Sequence, residues 1–263
     1  MNKKMTITSI QKTKGVRPLV MITAYDALFA RLFESSSDMI LVGDSLNMSF
    51  AGKSDTLSAT MEQMLYHTNA VCEGAKSSFV VCDMPFGTYD NKDDALKNAM
   101  RVYKETQADS VKIEGGESRA DIIEHLTSHG IAVCGHIGLL PQSVRSEGGY
   151  KVKGKDNIQR ESLLRDAKAV QKAGAFCLVI EGVKAEVASE VASCVDIPVI
   201  GIGAGVGVDG QVLVFSDMLG LFEEFTPKFV KKYMDGASLV RSAVKNYADE
   251  VLAREFPKEE HTY

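Results

Sequence analysis

The chain has 263 residues, of which 45% are hydrophobic and 25% charged. This is ordinary globular composition, with length for one large α/β domain or two smaller ones. A net charge of −5 and lysines scattered along the chain argue against a nucleic-acid partner. No apolar stretch approaches the roughly 18 residues of a membrane span, and the opening MNKKMTITSIQKTKG lacks the apolar centre of a signal peptide. The expectation is a soluble, intracellular protein with no membrane partner.

Along the chain, short runs rich in Val and Ile recur between Gly, Pro and Asp. They fall at 18–23, 39–42, 79–82, 110–113, 131–134, 176–180 and 197–202, with a weaker eighth at 212–215. Such runs predict buried parallel strands. Between them, 93–105, 117–129, 161–173 and 184–193 carry helical spacing. In the first of these, Ala95, Leu96, Ala99, Met100 and Tyr103 repeat at three- and four-residue steps behind an acidic start. Alternation of this kind predicts a (β/α)8 barrel, with 1–263 as a single domain bearing a short N-terminal and a C-terminal helix. An open doubly wound sheet would gather ligands at one crevice, whereas here polar residues end nearly every strand. The C-terminal stretch 237–256 places Val240, Val244, Tyr247 and Val251 on one face, which reads either as the last helix of the barrel wall or as a subunit contact.

The five cysteines form no CxxC pair, and Cys82, Cys134 and Cys177 lie inside apolar runs. They read as reduced, buried core residues and not as a zinc or redox site.

Four apolar runs close on a carboxylate: Asp44 in MILVGDS, Asp83 in FVVCDMP, Glu114 in SVKIEGG and Glu181 in CLVIEG. In a parallel barrel the strands' C-terminal ends share one face, so these acids and His136 become neighbours. Carboxylates so close repel one another and call for a cation or a proton. With oxygen donors only, and no Cys or His at ligand spacing, magnesium is favoured over zinc. Taken singly, Asp44 and Asp83 also read as turn acids closing a strand. Lys112 shares the inward face of its strand with Glu114, where it could hold a substrate carboxylate, stabilise an enolate oxygen or form an ion pair with a barrel acid. Glu181 reads as a general base, or as a further metal ligand or ion-pair partner. His136 reads equally as a substrate contact or a loop cap.

The run IGIGAGVG at 200–207 leads into GVGVDG, which satisfies GxGxxG by letter. No helical pattern follows it, so a tight turn near a ligand or a neighbouring loop is the better reading than a dinucleotide site.

Read together, ITAYD (22–26), LVGDSL (41–46), CDMPFGTY (82–89), VKIEGG (111–116), GHIGLLPQSV (135–144), GGYKVKGK (148–155), IEG (180–182), IPVIGIGAG (197–205) and DGQVLV (209–214) resemble the ketopantoate hydroxymethyltransferase family in order and spacing. The resemblance runs from about Thr6 to the C-terminal helix, and is weaker at 206–209 and 215–226, where Ser216 stands in place of a frequent histidine. It implies a (β/α)8 barrel of the phosphoenolpyruvate/pyruvate-binding type. It also implies transfer of a hydroxymethyl group from 5,10-methylenetetrahydrofolate to 3-methyl-2-oxobutanoate, giving 2-dehydropantoate and tetrahydrofolate. By the same resemblance one Mg2+ per subunit is held by Asp44, Asp83 and Glu114; substrate is contacted by Asp44, Ser45, Asp83 and Lys112; and Glu181 accepts the proton. Bacterial members are cytoplasmic homo-oligomers, commonly decamers. Two rival readings are a C–C lyase or phosphonomutase on the same kind of barrel, and a barrel that only binds a metabolite.

Overall fold

The computed structural model describes residues 4–263. Eight parallel strands close into a barrel in chain order: β1 (Leu19–Thr23), β2 (Met39–Val42), β3 (Phe79–Asp83), β4 (Ser110–Glu114), β5 (Val133–Gly138), β6 (Cys177–Glu181), β7 (Val199–Ile202) and β8 (Gly210–Leu213). The helices are α1 (Ile7–Gln11), α2 (Ala27–Phe33), α3 (Leu46–Ser49), α4 (Met61–Gly74), α5 (Lys92–Glu105), α6 (Ala120–Ser128), α7 (Asn157–Lys172), α8 (Ala185–Cys194), α9 (Phe215–Met218) and α10 (Gly236–Ala253). The expected barrel is therefore present.

Several of its helices start where a side chain can satisfy a first-turn N–H group. Asp26, Thr60, Asn91 and Asp156 accept from the backbone of Phe29, Gln63, Asp94 and Gln159, capping α2, α4, α5 and α7. The cap at Asp156 explains why α7 begins four residues ahead of the expected 161. β5 also departs from the expected 131–134: it runs on through Gly135, His136 and Gly138, because ladder bonds to β4 and β6 override two glycines of low strand propensity.

Inward-facing Leu19, Met21, Met39, Leu41, Phe79, Val81, Val179, Ile200 and Val212 form one apolar cluster, joined by Ile10 of α1. This cluster fills the barrel beneath the ends that carry the charged residues. Cys134 and Cys177 belong to it; all five cysteines are free, and four are buried as expected of core thiols, whereas Cys194 is only partly buried. Outward-facing residues of β2 to β7, such as Ile40, Val80, Val111, Val133, Leu178 and Val199, are fully buried under the helices. At the seam between β8 and β1 the wall is thinner. Val20, paired with Gln211, is 50% exposed.

The glycine run at 201–207 makes a turn and not a phosphate loop. Gly205 has φ +80, a Cβ there would stand 2.5 Å from that of Ala185, and Gly210 opens a strand where a dinucleotide fingerprint needs a helix.

The chain divides into two compact units. The first ends at Val214 and holds the barrel; the second is Phe215–Tyr263, with α9 and α10. Within the second, the backbone N–H groups of Tyr233, Gly236 and Ala237 donate to the carbonyls of Met218, Leu219 and Gly220, and Arg241 pairs with Glu223. Along α10, Leu239, Val240, Val244, Tyr247 and Val251 are between 41% and 60% exposed. Among the described residues no helix is long and apolar enough to cross a membrane.

Candidate active site

The strand register brings the sequence-predicted residues together. Asp83 is the Cα partner of Lys112, and Glu114 that of His136. Asp44 lies two residues past β2, and its backbone N–H points at Asp83 Oδ2, 3.3 Å away. Glu181 ends β6 and faces His136 of the neighbouring β5. All but Glu181 are buried, and its side chain is 19% exposed.

Lys112 is the hub of this cluster. Its Nζ lies 2.8 Å from Asp83 Oδ1, 3.8 Å from Glu114 Oε1 and 3.2 Å from His136 Nδ1. Burial opposes the charged amine, but Asp83, Glu114 and Asp44 outweigh it and raise its pKa above the ordinary lysine value. His136 has Nδ1 3.4 Å from Glu114 Oε1 and Nε2 3.3 Å from Glu181 Oε2. Burial and Lys112 press its pKa down, yet the two carboxylates prevail and lift it to about 9.

The acids do not behave alike. Burial first, then Asp83 and Glu114, push Asp44 well above the usual carboxylate range. Asp83 is also raised, mainly by burial, with Lys112 pulling the other way. Burial acts on Glu114 in the same sense, but His136, Lys112 and the Gln142 N–H together hold it below its ordinary value. Burial thus favours the neutral form of Asp44 and Asp83, whereas Glu114 is held toward its charged form by its basic neighbours.

Ser45 follows Asp44, and its Oγ lies 2.8 Å from the Tyr25 hydroxyl. Two residues to which the sequence reading assigned no role also enter the cluster. Gln142, in the turn Pro141–Ser143 after β5, donates its backbone N–H to Glu114 Oε2 at 3.1 Å and its Nε2 to Asp44 Oδ2 at 2.9 Å. The Tyr89 hydroxyl donates to Gln142 Oε1. Both lie in the quoted motifs CDMPFGTY and GHIGLLPQSV, but an uncharged glutamine in a loop carries no sign of what it will face.

A divalent cation is implied by the resemblance, and the donor set fits one. Asp83 Oδ1 and Glu114 Oε1 are buried with charged neighbours close by, yet neither accepts an aligned hydrogen bond. Hard carboxylate oxygens suit Mg2+, which takes one or two protein carboxylates and completes its shell from water and ligand. Among the described residues no three His, Cys, Asp or Glu side chains are grouped as ligands of a single ion. Glu114 in particular is engaged by His136, Lys112 and Gln142.

Fold and site define an enzyme-like (β/α)8 barrel with an acid-lined mouth. A solved phosphonopyruvate hydrolase matches with a TM-score of 0.64 at 12% identity, over 98% of this chain and 90% of that one. A 2,3-dimethylmalate lyase, itself described as a PEP mutase/isocitrate lyase superfamily member, matches with a TM-score of 0.60 at 18% identity, over 97% of this chain and 91% of that one. Identities this low speak for the fold alone. The family model for ketopantoate hydroxymethyltransferase matches residues 4–259, and the chain belongs to that family. It is 75% identical to the 3-methyl-2-oxobutanoate hydroxymethyltransferase of Sulfurimonas denitrificans over the whole of both chains. It is 52% identical to that of Helicobacter pylori, over 99% of this chain and 97% of the other.

Proposed function

We propose that the chain is a 3-methyl-2-oxobutanoate hydroxymethyltransferase, moving a hydroxymethyl group from 5,10-methylenetetrahydrofolate to C3 of 3-methyl-2-oxobutanoate to give 2-dehydropantoate and tetrahydrofolate. The observation that carries this reading is the family match across residues 4–259. The cluster at the barrel mouth is suited to the chemistry. In this reading Asp44, Asp83 and Glu114 hold Mg2+, and the buried oxygens Asp83 Oδ1 and Glu114 Oε1, which lack an aligned hydrogen bond, support it. When bound, Mg2+ supplies a Lewis acid for the 2-oxo carboxylate.

The chain's own groups do the rest. Lys112 sets a fixed positive charge where the oxo acid gains negative charge as it loses its C3 proton, and a preformed charge in a dry site needs no reorganisation. Glu181 takes that proton: it is the acid at the open side of the cluster, and the His136 ring at 3.3 Å orients its carboxylate. Ser45, positioned by Tyr25, and His136 contact the substrate. The resulting carbon nucleophile forms the new C–C bond to the one-carbon unit as both of its C–N bonds to folate break; water supplies the hydroxyl oxygen, and the C3 proton and the remaining water proton end on the two nitrogens of tetrahydrofolate.

A homo-oligomer in the cytoplasm completes the reading. The exposed apolar face of α10 supports an interface between copies, and sedimentation velocity over a range of concentrations tests it. The function itself is tested by assaying 2-dehydropantoate formation with and without Mg2+ and the folate donor. Product that forms without the folate donor, or cleavage of the oxo acid instead, would assign the chain to another reaction on the same barrel.

A further inference from the structure

Gln142 is bound on every side by groups that leave its amide a single orientation. Its nitrogen faces two oxygens, Asp44 Oδ2 at 2.9 Å and the Met84 carbonyl at 3.0 Å. The carbonyl can only accept, and so can the carboxylate when ionised, so the NH2 must face both. The amide oxygen is then left for Tyr89, whose hydroxyl has to donate. Tyr89 is itself buried, with the Arg119 guanidinium 5.5 Å above its ring. The chain of constraint therefore runs from the Tyr89 ring through the Gln142 amide to one oxygen of Asp44, and the Gln142 backbone N–H meets Glu114 Oε2. One residue ties together the acid that follows β2 and the acid that ends β4. Oδ1 of Asp44 stays outside this tie.

We propose that Gln142, locked by Tyr89, is a positioning residue that fixes the rotation of the Asp44 carboxylate and so presents Oδ1 to the divalent cation. This rests on the reading of Asp44 as a ligand of that cation. A carboxylate free to turn must be ordered when the ion binds; one already held does not, and outer partners of this sort typically contribute 10–100-fold in metal affinity. The Lys112 cluster supplies charge, whereas Tyr89 and Gln142 supply direction.

The test is calorimetric titration of Mg2+ into the full-length protein in the presence of 3-methyl-2-oxobutanoate, with a melting curve for each variant. Tyr89→Phe keeps the ring under Arg119 and removes only the donor. It is expected to weaken Mg2+ binding about tenfold with little change in melting temperature, and Gln142→Met to weaken it by about 10–100-fold. For both, kcat is expected to recover at saturating Mg2+. Should Gln142→Met fail to fold, Tyr89→Phe decides. A purely structural role predicts lower melting temperatures with Mg2+ affinity unmoved, and affinities within about twofold of the parent would overturn the inference. Asp44→Asn separates the two levels. If it abolishes Mg2+ binding while Tyr89→Phe and Gln142→Met leave it intact, the positioning role is wrong and the cation site stands. If Asp44→Asn binds Mg2+ normally, the cation reading falls and the inference with it.

Discussion

Asp83 and Lys112 are Cα partners on neighbouring strands, and their side chains meet at 2.8 Å with almost no exposure to solvent. A buried pair of this kind is weak evidence for net stability, but removing one partner strands the other charge at a typical cost of about 3–5 kcal/mol. Lys112→Met is therefore expected to lower the free energy of unfolding by about that amount, measured by denaturant titration. Combined with Asp83→Asn, the two losses should fall short of their sum by at least about 1 kcal/mol. Strict additivity would show that the pair is not coupled.

The role of Glu181 is open to an isotopic test. Glu181→Gln keeps the shape of the side chain and removes its basicity. The variant should still bind 3-methyl-2-oxobutanoate in a Mg2+-dependent way, while exchange of the C3 proton in heavy water, followed by NMR, falls by about 100-fold or more. Exchange at the parent rate would take Glu181 out of the role of base.

Removing the cation should be visible in stability as well as in activity. An ion that binds only the folded state adds about 2.7 kcal/mol at a hundred times its Kd, so the melting temperature of the parent should rise with Mg2+ and return with chelator. Asp83→Ala is expected to show neither response and no activity. A normal Mg2+-dependent shift in that variant would remove Asp83 from the ligand set.

A pH-dependent contribution lies elsewhere, at the start of the barrel. Asp38 receives two hydrogen bonds from Arg17 and one from the Val20 N–H, clamping β1 to the segment before β2. Burial pushes its pKa up, but these partners outweigh it and hold the carboxyl below its ordinary value. A depressed folded-state pKa means stability that is present above the unfolded value of roughly 4 and lost as pH falls through the folded one. Arg17 is half exposed, so screening limits the term to about 1 kcal/mol. The stability difference between parent and Asp38→Asn should be flat from neutral pH down to about pH 5 and shrink below it. A difference that does not change with acid would assign the clamp to packing alone.

Much of this was legible in the chain itself. In a parallel barrel the C-terminal ends of all strands open on one face, so Asp44, Asp83, Lys112, Glu114, His136 and Glu181 could be gathered from their places in the chain alone. What the acids then do could not. Glu114 turns to Lys112 and His136 because register sets it opposite His136, and register is a tertiary fact. Gln142 and Tyr89 escaped because their meaning depends on an encounter between two loops. β5 escaped in part because His136 and its glycines interrupt the apolar run that marks a strand, and β8 because Gly210 and Gln211 do the same at its start.

The bare apolar face of α10 has a consequence for any measurement on this protein. If copies of the chain cover it for one another, folding and assembly share a single equilibrium, and protein concentration becomes a variable of state alongside temperature and pH. A melting point taken at calorimetric concentration and a rate taken at assay dilution would then describe differently populated species, so comparison between variants requires both at matched dilution.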